Sequence, residues 1–325
     1  MDQSSAQSSA QSSAPGQPQG QSRDSRRRQP RSSAAATARR AGLRDVAQET
    51  RAELPAILAE LPNLNANKSL KYDFNTMPAL RAASCPKVET KATVRVLNQD
   101  SFNAALDMAT HQHADHPVGR VAVLNLASHR NPGGGWLNGA TAQEEALCYR
   151  SSLSLSLHRR DYPMKKAEGH YTSDVVIIRT GMDDGHKLMV PEIAPADLPV
   201  VSVVSVAALN RPSKRKTQIP DGGSNGKTRS KEVFENPEDR DLTKDKMRLT
   251  LRMAALNGHR ALVLGAMGCG AFQNPVEDVA ECWQEVLTEE EFAGGWWQEV
   301  WFAVYDRRNE GNFEVFDRLL GGLKV

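Results

Sequence analysis

Between about residues 37 and 61 the apolar side chains Leu43, Val46, Ala47, Leu54, Ile57, Leu58 and Leu61 recur at helical spacing among charged neighbours. This predicts amphipathic helices, interrupted near Pro55 because proline lacks the N–H that the helix ladder needs. After a proline-containing connector, residues 93–97 and 120–126 read as strands and residues 101–109 as a helix between them. Further strands are predicted at 174–179 and 198–207. The second of these carries Val200, Val201, Val203, Val204 and Val206, the near-continuous apolar run of a sheet covered on both faces. The last third alternates: helix 245–256, strand 261–265, helix 276–287, strand 300–304 and helix 312–320. Such alternation predicts an α/β protein with helices on both sides of a mixed sheet. No internal repeat is present.

Two segments fall outside that pattern. Residues 1–38 are Ser, Ala, Gln, Pro, Gly and Arg with almost no large apolar side chain, so burial cannot offset the entropy of ordering them, and a disordered tail is expected. Arg23, Arg26, Arg27, Arg28 and Arg31 form a basic cluster there, read as a nuclear address, a polyanion contact or simply a solubilising tail. Residues 212–233 are rich in Lys, Arg, Gly and Ser around Asp221-Gly222-Gly223 and read as a mobile surface insertion. Its Lys214, Arg215, Lys216, Lys227, Arg229 and Lys231 suit either contact with phosphates or plain solvation. The formal charge of +2 gives no reason to expect nucleic-acid binding over the whole surface. Cys85, Cys148, Cys269 and Cys282 are scattered without a CxxC pair, which points to a reduced intracellular compartment, cytoplasmic or nuclear, and away from zinc. No apolar run is long enough to span a bilayer, so a soluble chain with no membrane partner is expected.

The candidate chemistry sits in two glycine-rich loops that each follow an apolar strand. In the first, Gly133-Gly134-Gly135 removes every Cβ from the backbone just before Gln143-Glu144-Glu145. Thr141-Ala142-Gln143-Glu144 has the pattern of a capping box, with the helix it opens running to about residue 157. The acidic pair is therefore either a capped, solvated helix start or an acid placed beside a ligand. In the second loop, Gly265, Gly268 and Gly270 precede a helix beginning near Pro275. Free amides there suit a phosphate or diphosphate, although a purely structural turn fits equally. Walker and dinucleotide-binding readings fit poorly, because the Lys-Ser/Thr is missing and the glycine spacing differs. Ligands of open α/β sheets sit outside the carboxyl ends of the strands, so both loops can flank one cleft.

Together, Asn125-Leu126-Ala127-Ser128, Asn131-Pro132-Gly133-Gly134-Gly135 and Gln143-Glu144-Glu145 resemble the signature of poly(ADP-ribose) glycohydrolases of the compact microbial type. The stretch Gly265 to Phe272, followed by Asn274-Pro275, is similar to that family's diphosphate loop. The order and spacing extend from roughly Leu43 to the C-terminus. The resemblance implies a three-layer α/β/α macrodomain-like sandwich with an N-terminal helical extension over residues 39–325. It implies hydrolysis of ribose–ribose bonds in poly(ADP-ribose), from chain ends, without cofactor or metal. It assigns Glu145 as the general acid and base and gives Glu144 the terminal ribose hydroxyls. Gln143 would set the acidic pair, Gly133, Gly134 and Gly135 would wrap the ribose and phosphate, and Gly268, Cys269, Gly270, Ala271 and Phe272 would cradle the diphosphate. The Phe272 ring would pack on the terminal ribose, and Asp100 is placed like the macrodomain aspartate that accepts from the adenine amino group.

Physical reasoning bears on this division of labour. Adjacent helical residues point about 100° apart, so Glu144 and Glu145 cannot bracket a sugar from opposite faces, and one carboxylate must carry both proton transfers. Repulsion within the pair raises its proton affinity while the helix N-terminus lowers it. Asn125 and Ser128 are candidates to bond the ribose or merely to pair with backbone, and Asp100 also suits an ordinary helix cap. His111, His113 and His116 lack acidic or Cys partners and read as a polar loop, while Trp296, Trp297 and Trp301 read as core. Expected partners are poly(ADP-ribose), ADP-ribosylated proteins and the product ADP-ribose, bound by a monomer. Two rival functions stand beside this one: a catalytically silent ADP-ribose reader, and a hydrolase of ADP-ribose linked to protein, nucleic acid or an acetyl ester.

Overall fold

The computed structural model describes residues 31–110, 119–220 and 227–325. Arg23 and Arg26 to Arg28 of the basic cluster, the histidines His111, His113 and His116, and Asp221 to Gly223 lie outside the described residues. The helices are α1 (Arg31–Ala59), α2 (Ser101–Thr110), α3 (Gln143–Arg150), α4 (Leu153–Ser156), α5 (Pro237–Leu256), α6 (Val276–Leu287) and α7 (Asn312–Leu320). The strands are β1 (Leu70–Asp73), β2 (Val94–Leu97), β3 (Ala122–Leu126), β4 (Glu168–Val176), β5 (Val200–Val206), β6 (Lys214–Pro220), β7 (Thr228–Phe234), β8 (Ala261–Leu264) and β9 (Glu299–Ala303).

Seven strands form one sheet in the order β1-β4-β5-β3-β8-β9-β2, antiparallel at β1/β4 and β4/β5 and parallel elsewhere. Because successive strand residues face opposite sides, each central strand feeds two cores. Leu124, Val204 and Leu262 pack on one face with residues of α5, α6 and α7. Val123, Val203 and Val263 pack on the other with residues of α1, α2 and α3. The result is an α/β/α sandwich, with Trp296, Trp297 and Trp301 buried in it. Among the described residues no helix is long and apolar enough to cross a membrane.

Besides the earlier start of α5, at Pro237 rather than near Asp245, the structure departs from the sequence pattern in five places. Helix α1 begins at Arg31, inside the stretch read as tail, and continues through Pro55. Pro55 faces solvent, while Leu54 and Ile57 beside it are buried against Val176, Ile178 and Leu198. Two buried aliphatic side chains, at about 1.5–3 kcal/mol each, outweigh the roughly 3 kcal/mol cost of a helical proline. The helix expected over 141–157 breaks instead after Arg150, where Ser151 is extended and bridges to Ile177. Ser152 reinforces the break, its Oγ accepting from Val176 N at 3.0 Å. Strand β4 starts earlier than predicted, and the edge strand β1 falls in the stretch read as a connector.

The fifth departure is the insertion, which is a β-hairpin. Strands β6 and β7 pair in register from Lys214↔Phe234 to Pro220↔Thr228. Alternation explains why. On β7, Arg229 and Lys231 point to α6, where Glu277 and Glu281 meet them as ion pairs, and Phe234 is buried at the root.

Candidate active site

Strand β3 lies at the centre of the sheet between the parallel strands β5 and β8, so the loops that follow all three open on one edge. The acidic pair, the hairpin root and the second glycine loop are therefore neighbours. A direct contact joins the two glycine loops: the His129 and Phe272 rings meet edge to face with centroids 6.3 Å apart.

The first loop is built around the carboxylates. Gly133 and Gly134 have φ of +69° and +60°, and a Cβ on Gly134 would overlap Glu145 Oε1. A Cβ on Gly133 would lie 2.8 Å from Trp136 Cδ1 and 3.1 Å from Cys148 Sγ. Glycine is required here both by backbone conformation and by the approach of the acids. The Gly135 amide donates to Glu145 Oε1 at 2.7 Å. Glu144 accepts from the Ser128 amide at 2.8 Å, from Asn125 Nδ2 at 3.3 Å and from the backbone of Gly133.

The expected capping box does not form: Ala142 is the N-cap residue, and no side chain caps the helix. The acids turn into the loop, so loop amides, rather than Thr141, satisfy Glu144. Gln143 stitches the helix start to the sheet, accepting from Leu126 N at 2.9 Å and donating to Leu124 O at 2.8 Å and Ser101 Oγ at 3.0 Å.

The two acids differ in environment. Glu144 is only 2% exposed, and burial first, with repulsion from Glu145 added, outweighs its hydrogen bonds and pushes its carboxyl up to about 8. It is therefore largely protonated at neutral pH. Glu145 has one oxygen held by Gly135, while its buried Oε2 has no hydrogen-bond partner among the described residues. One acid is locked; the other has a free atom.

Other candidates take more specific places. Asn125 is fully buried and reaches Glu144 and Ser205 Oγ, so it lies beneath the acidic pair with no surface to offer a ribose. The Ser128 hydroxyl accepts from the Arg130 and Asn131 amides, closing the turn into the glycines. Asp100 caps α2 through the Phe102 and Asn103 amides and pairs with the buried Arg150.

In the second loop, Gly268 has φ of +76°, and a Cβ there would lie 2.8 Å from Ala208 Cβ. Asn274 Nδ2 holds the loop closed through Leu209 O at 2.7 Å, Gly268 O at 3.2 Å and Phe272 O at 3.3 Å. The Cys269 side chain is buried, with its thiol pushed up by burial, so this residue offers backbone alone. Gly270 and Ala271 are exposed and Phe272 is half-buried. The amides of Gly268, Gly270, Ala271 and Phe272 donate to no group among the described residues. Unsatisfied donors on a turn are suited to an anion.

Sequence reasoning missed Ser205, Ser101, Asn274, His129 and Arg150. Ser205 carried a usable signal, being a polar position in an otherwise valine-rich strand. Asn274 stands next to Pro275 in the motif already noted, but its three-carbonyl grip requires the fold. Among the described residues no group of three or more His, Cys, Asp or Glu side chains is placed to hold a metal.

The chain matches the microbial-type PARG catalytic domain over residues 50–179, a range that holds the first loop and both acids but not the second loop. No curated protein sequence matches the chain. Among solved structures, poly(ADP-ribose) glycohydrolase from Thermomonospora curvata is 24% identical, with a TM-score of 0.63, covering 85% of this chain and 98% of its own. The same enzyme bound to the inhibitor ADP-HPD is 25% identical, with a TM-score of 0.62 over the same shares. The Deinococcus radiodurans glycohydrolase in complex with ADP-ribose is 25% identical, with a TM-score of 0.58, covering 78% of this chain and 94% of its own. Residues 50–179 thus match the microbial-type PARG catalytic domain, and the fold is similar to that of the glycohydrolases from Thermomonospora curvata and Deinococcus radiodurans.

Proposed function

We propose that the chain hydrolyses the ribose–ribose O-glycosidic bond of poly(ADP-ribose) and releases ADP-ribose from chain ends, with Glu145 as general acid and base. The observation that carries the assignment is the asymmetry of the acidic pair: Glu145 alone keeps a buried, unpartnered carboxyl oxygen, Oε2. In the first half of the reaction the Glu145 carboxyl gives its proton to the glycosidic oxygen as the C–O bond breaks toward an oxocarbenium-like state. In the second half the resulting carboxylate takes a proton from water as the oxygen of that water bonds to the anomeric carbon. Glu144, neutral near pH 7, donates its own proton to a ribose hydroxyl or accepts from one without adding a second negative charge. The amides of residues 268, 270, 271 and 272 meet the diphosphate, so positioning supplies a large part of the acceleration.

The test compares poly(ADP-ribose) with a mono-ADP-ribosylated protein in the presence of chelator. Free ADP-ribose from the polymer, and none from the mono-modified protein, is the expected outcome. Release only from the mono-modified protein would replace the proposed bond with the protein linkage. Binding of ADP-ribose without any release would make the chain a reader.

A further inference from the structure

The β6–β7 hairpin stands apart from the main sheet as a separate two-stranded sheet, and it is held down largely by charge. Arg229 and Lys231, which point to α6, are matched by Glu277 and Glu281, and Lys214, on the opposite face, is matched within the hairpin by Glu232 at 2.6 Å. The remaining cations of the hairpin are not matched. Arg215, Lys216 and Lys227 are exposed and have no ion pair among the described residues. Lys216 stands opposite Glu232 in the register, but Lys214 already holds that carboxylate, the one acid on the described part of the hairpin. Arg211, also exposed, adds a fourth unmatched cation at the root.

The hairpin root is tied to the diphosphate loop. Arg211 N donates to Phe272 O at 2.9 Å, and Asn274 Nδ2 donates to Leu209 O at 2.7 Å. The unpaired cations thus begin at the rim of the cleft with Arg211, continue with Arg215 and Lys216 at the start of β6, and end with Lys227 beside the start of β7, β6 itself spanning roughly 20 Å. A whole-chain charge of only +2 makes this local concentration the more distinct. A two-stranded hairpin is marginal by itself, and this one is anchored by the buried Phe234 at its root and by the ion pairs to α6.

Resting on the proposed function, we propose that the exposed, unpaired cations of this hairpin and its root, Arg211, Arg215, Lys216 and Lys227, form a tracking surface for the polymer beyond its terminal unit. It takes the diphosphates of units still attached to the chain, while the cleft holds the unit to be released. The partner is a flexible polyanion with spaced diphosphates. The surface adds affinity that grows with polymer length and falls with salt, and it leaves the bond-breaking step alone.

The test uses the full chain carrying Glu145→Gln, so that polymer is not consumed, with and without Arg215→Gln, Lys216→Gln and Lys227→Gln together. Affinities for fluorescent long poly(ADP-ribose), for single ADP-ribose and for a DNA duplex are measured across a salt series. The expected result is about a tenfold loss of polymer affinity at low salt and a log–log salt slope shallower by about 2, as for loss of three phosphate contacts to a flexible chain. ADP-ribose affinity stays within twofold. Equal losses for polymer and single ADP-ribose would overturn the proposal, as would unchanged polymer binding. Duplex DNA bound as tightly as polymer and with the same slope would overturn it in favour of a nucleic-acid surface. Turnover of polymer by the unsubstituted chain is read separately, so a failure of the glycohydrolase reading is distinguishable from a failure of this one.

Discussion

In the loop after β3, glycines make room for side chains: Gly134 lies under Glu145, and Gly133 lies against Trp136 and Cys148. In the loop after β8, glycine serves the path of the backbone. Gly268 turns beneath Asn274, whereas a Cβ on Gly270 would meet nothing within 4 Å. In the acid loop, amides of Ser128, Gly133 and Gly135 are spent on the two carboxyls, leaving Glu145 Oε2 alone unpartnered among their oxygens. The loop after β8 is held by Asn274, and the amides of Gly268, Gly270, Ala271 and Phe272 donate to no group among the described residues. A reacting group must be fixed before substrate arrives, while an anion cradle must keep donors unspent until it does.

The largest effect expected from that contrast is at Gly134. Gly134→Ala forces a left-handed φ on a residue with a Cβ and drives that Cβ into Glu145, so activity should fall at least 100-fold. Stability should fall by about 1–3 kcal/mol by urea titration. Full activity in this variant would mean that the loop relaxes and that the glycine is not required by the acids.

Asn274→Ala removes the grip on three carbonyls. It should weaken ADP-ribose binding about tenfold and cost about 1–3 kcal/mol, while single-turnover cleavage at saturating polymer changes little. A fall in the cleavage rate with affinity intact would place Asn274 with the acids instead.

Glu144 sharpens the comparison through pH. Its carboxyl rises from 4.5 to about 8 on folding, so its contribution to stability is complete below about pH 4.5 and is lost as pH rises toward 8. In Glu144→Gln the side chain cannot ionise but misplaces one acceptor. The melting-temperature deficit of the variant should therefore be largest near pH 5 and should shrink or reverse by pH 9. A deficit independent of pH would contradict burial of a neutral acid.

The smallest effect is at Gly270. Gly270→Ala has open space around it, so stability should change by less than about 0.5 kcal/mol. Any loss should appear in ADP-ribose affinity alone, by calorimetry. Destabilisation there would erase the distinction between Gly268 and Gly270.

Much of this was legible because hydrophobic burial repeats with the period of each element. The predicted helix 276–287 coincides with α6, and 312–320 with α7, since each has one apolar stripe and a clear proline or glycine at its edge. Strand β4 was read late because its first half, Glu168-Gly169-His170-Tyr171-Thr172, buries polar side chains and gives no apolar run. The hairpin looked mobile because the acids that neutralise it, Glu277 and Glu281, lie far along the chain on α6. Within the site, residue types and order marked both loops. Which acid is locked was not visible, because it depends on amides from Ser128, Gly133 and Gly135 that only folding brings to the pair.

The central claim, that Glu145 moves the proton while Glu144 is held, is tested most directly by Glu145→Gln in single-turnover cleavage of poly(ADP-ribose), with ADP-ribose affinity measured in parallel. The expected result is a cleavage rate lower by about 100- to 10,000-fold with affinity within a few-fold of the parent chain. Retained cleavage in Glu145→Gln would contradict the account and move the acid role to another residue.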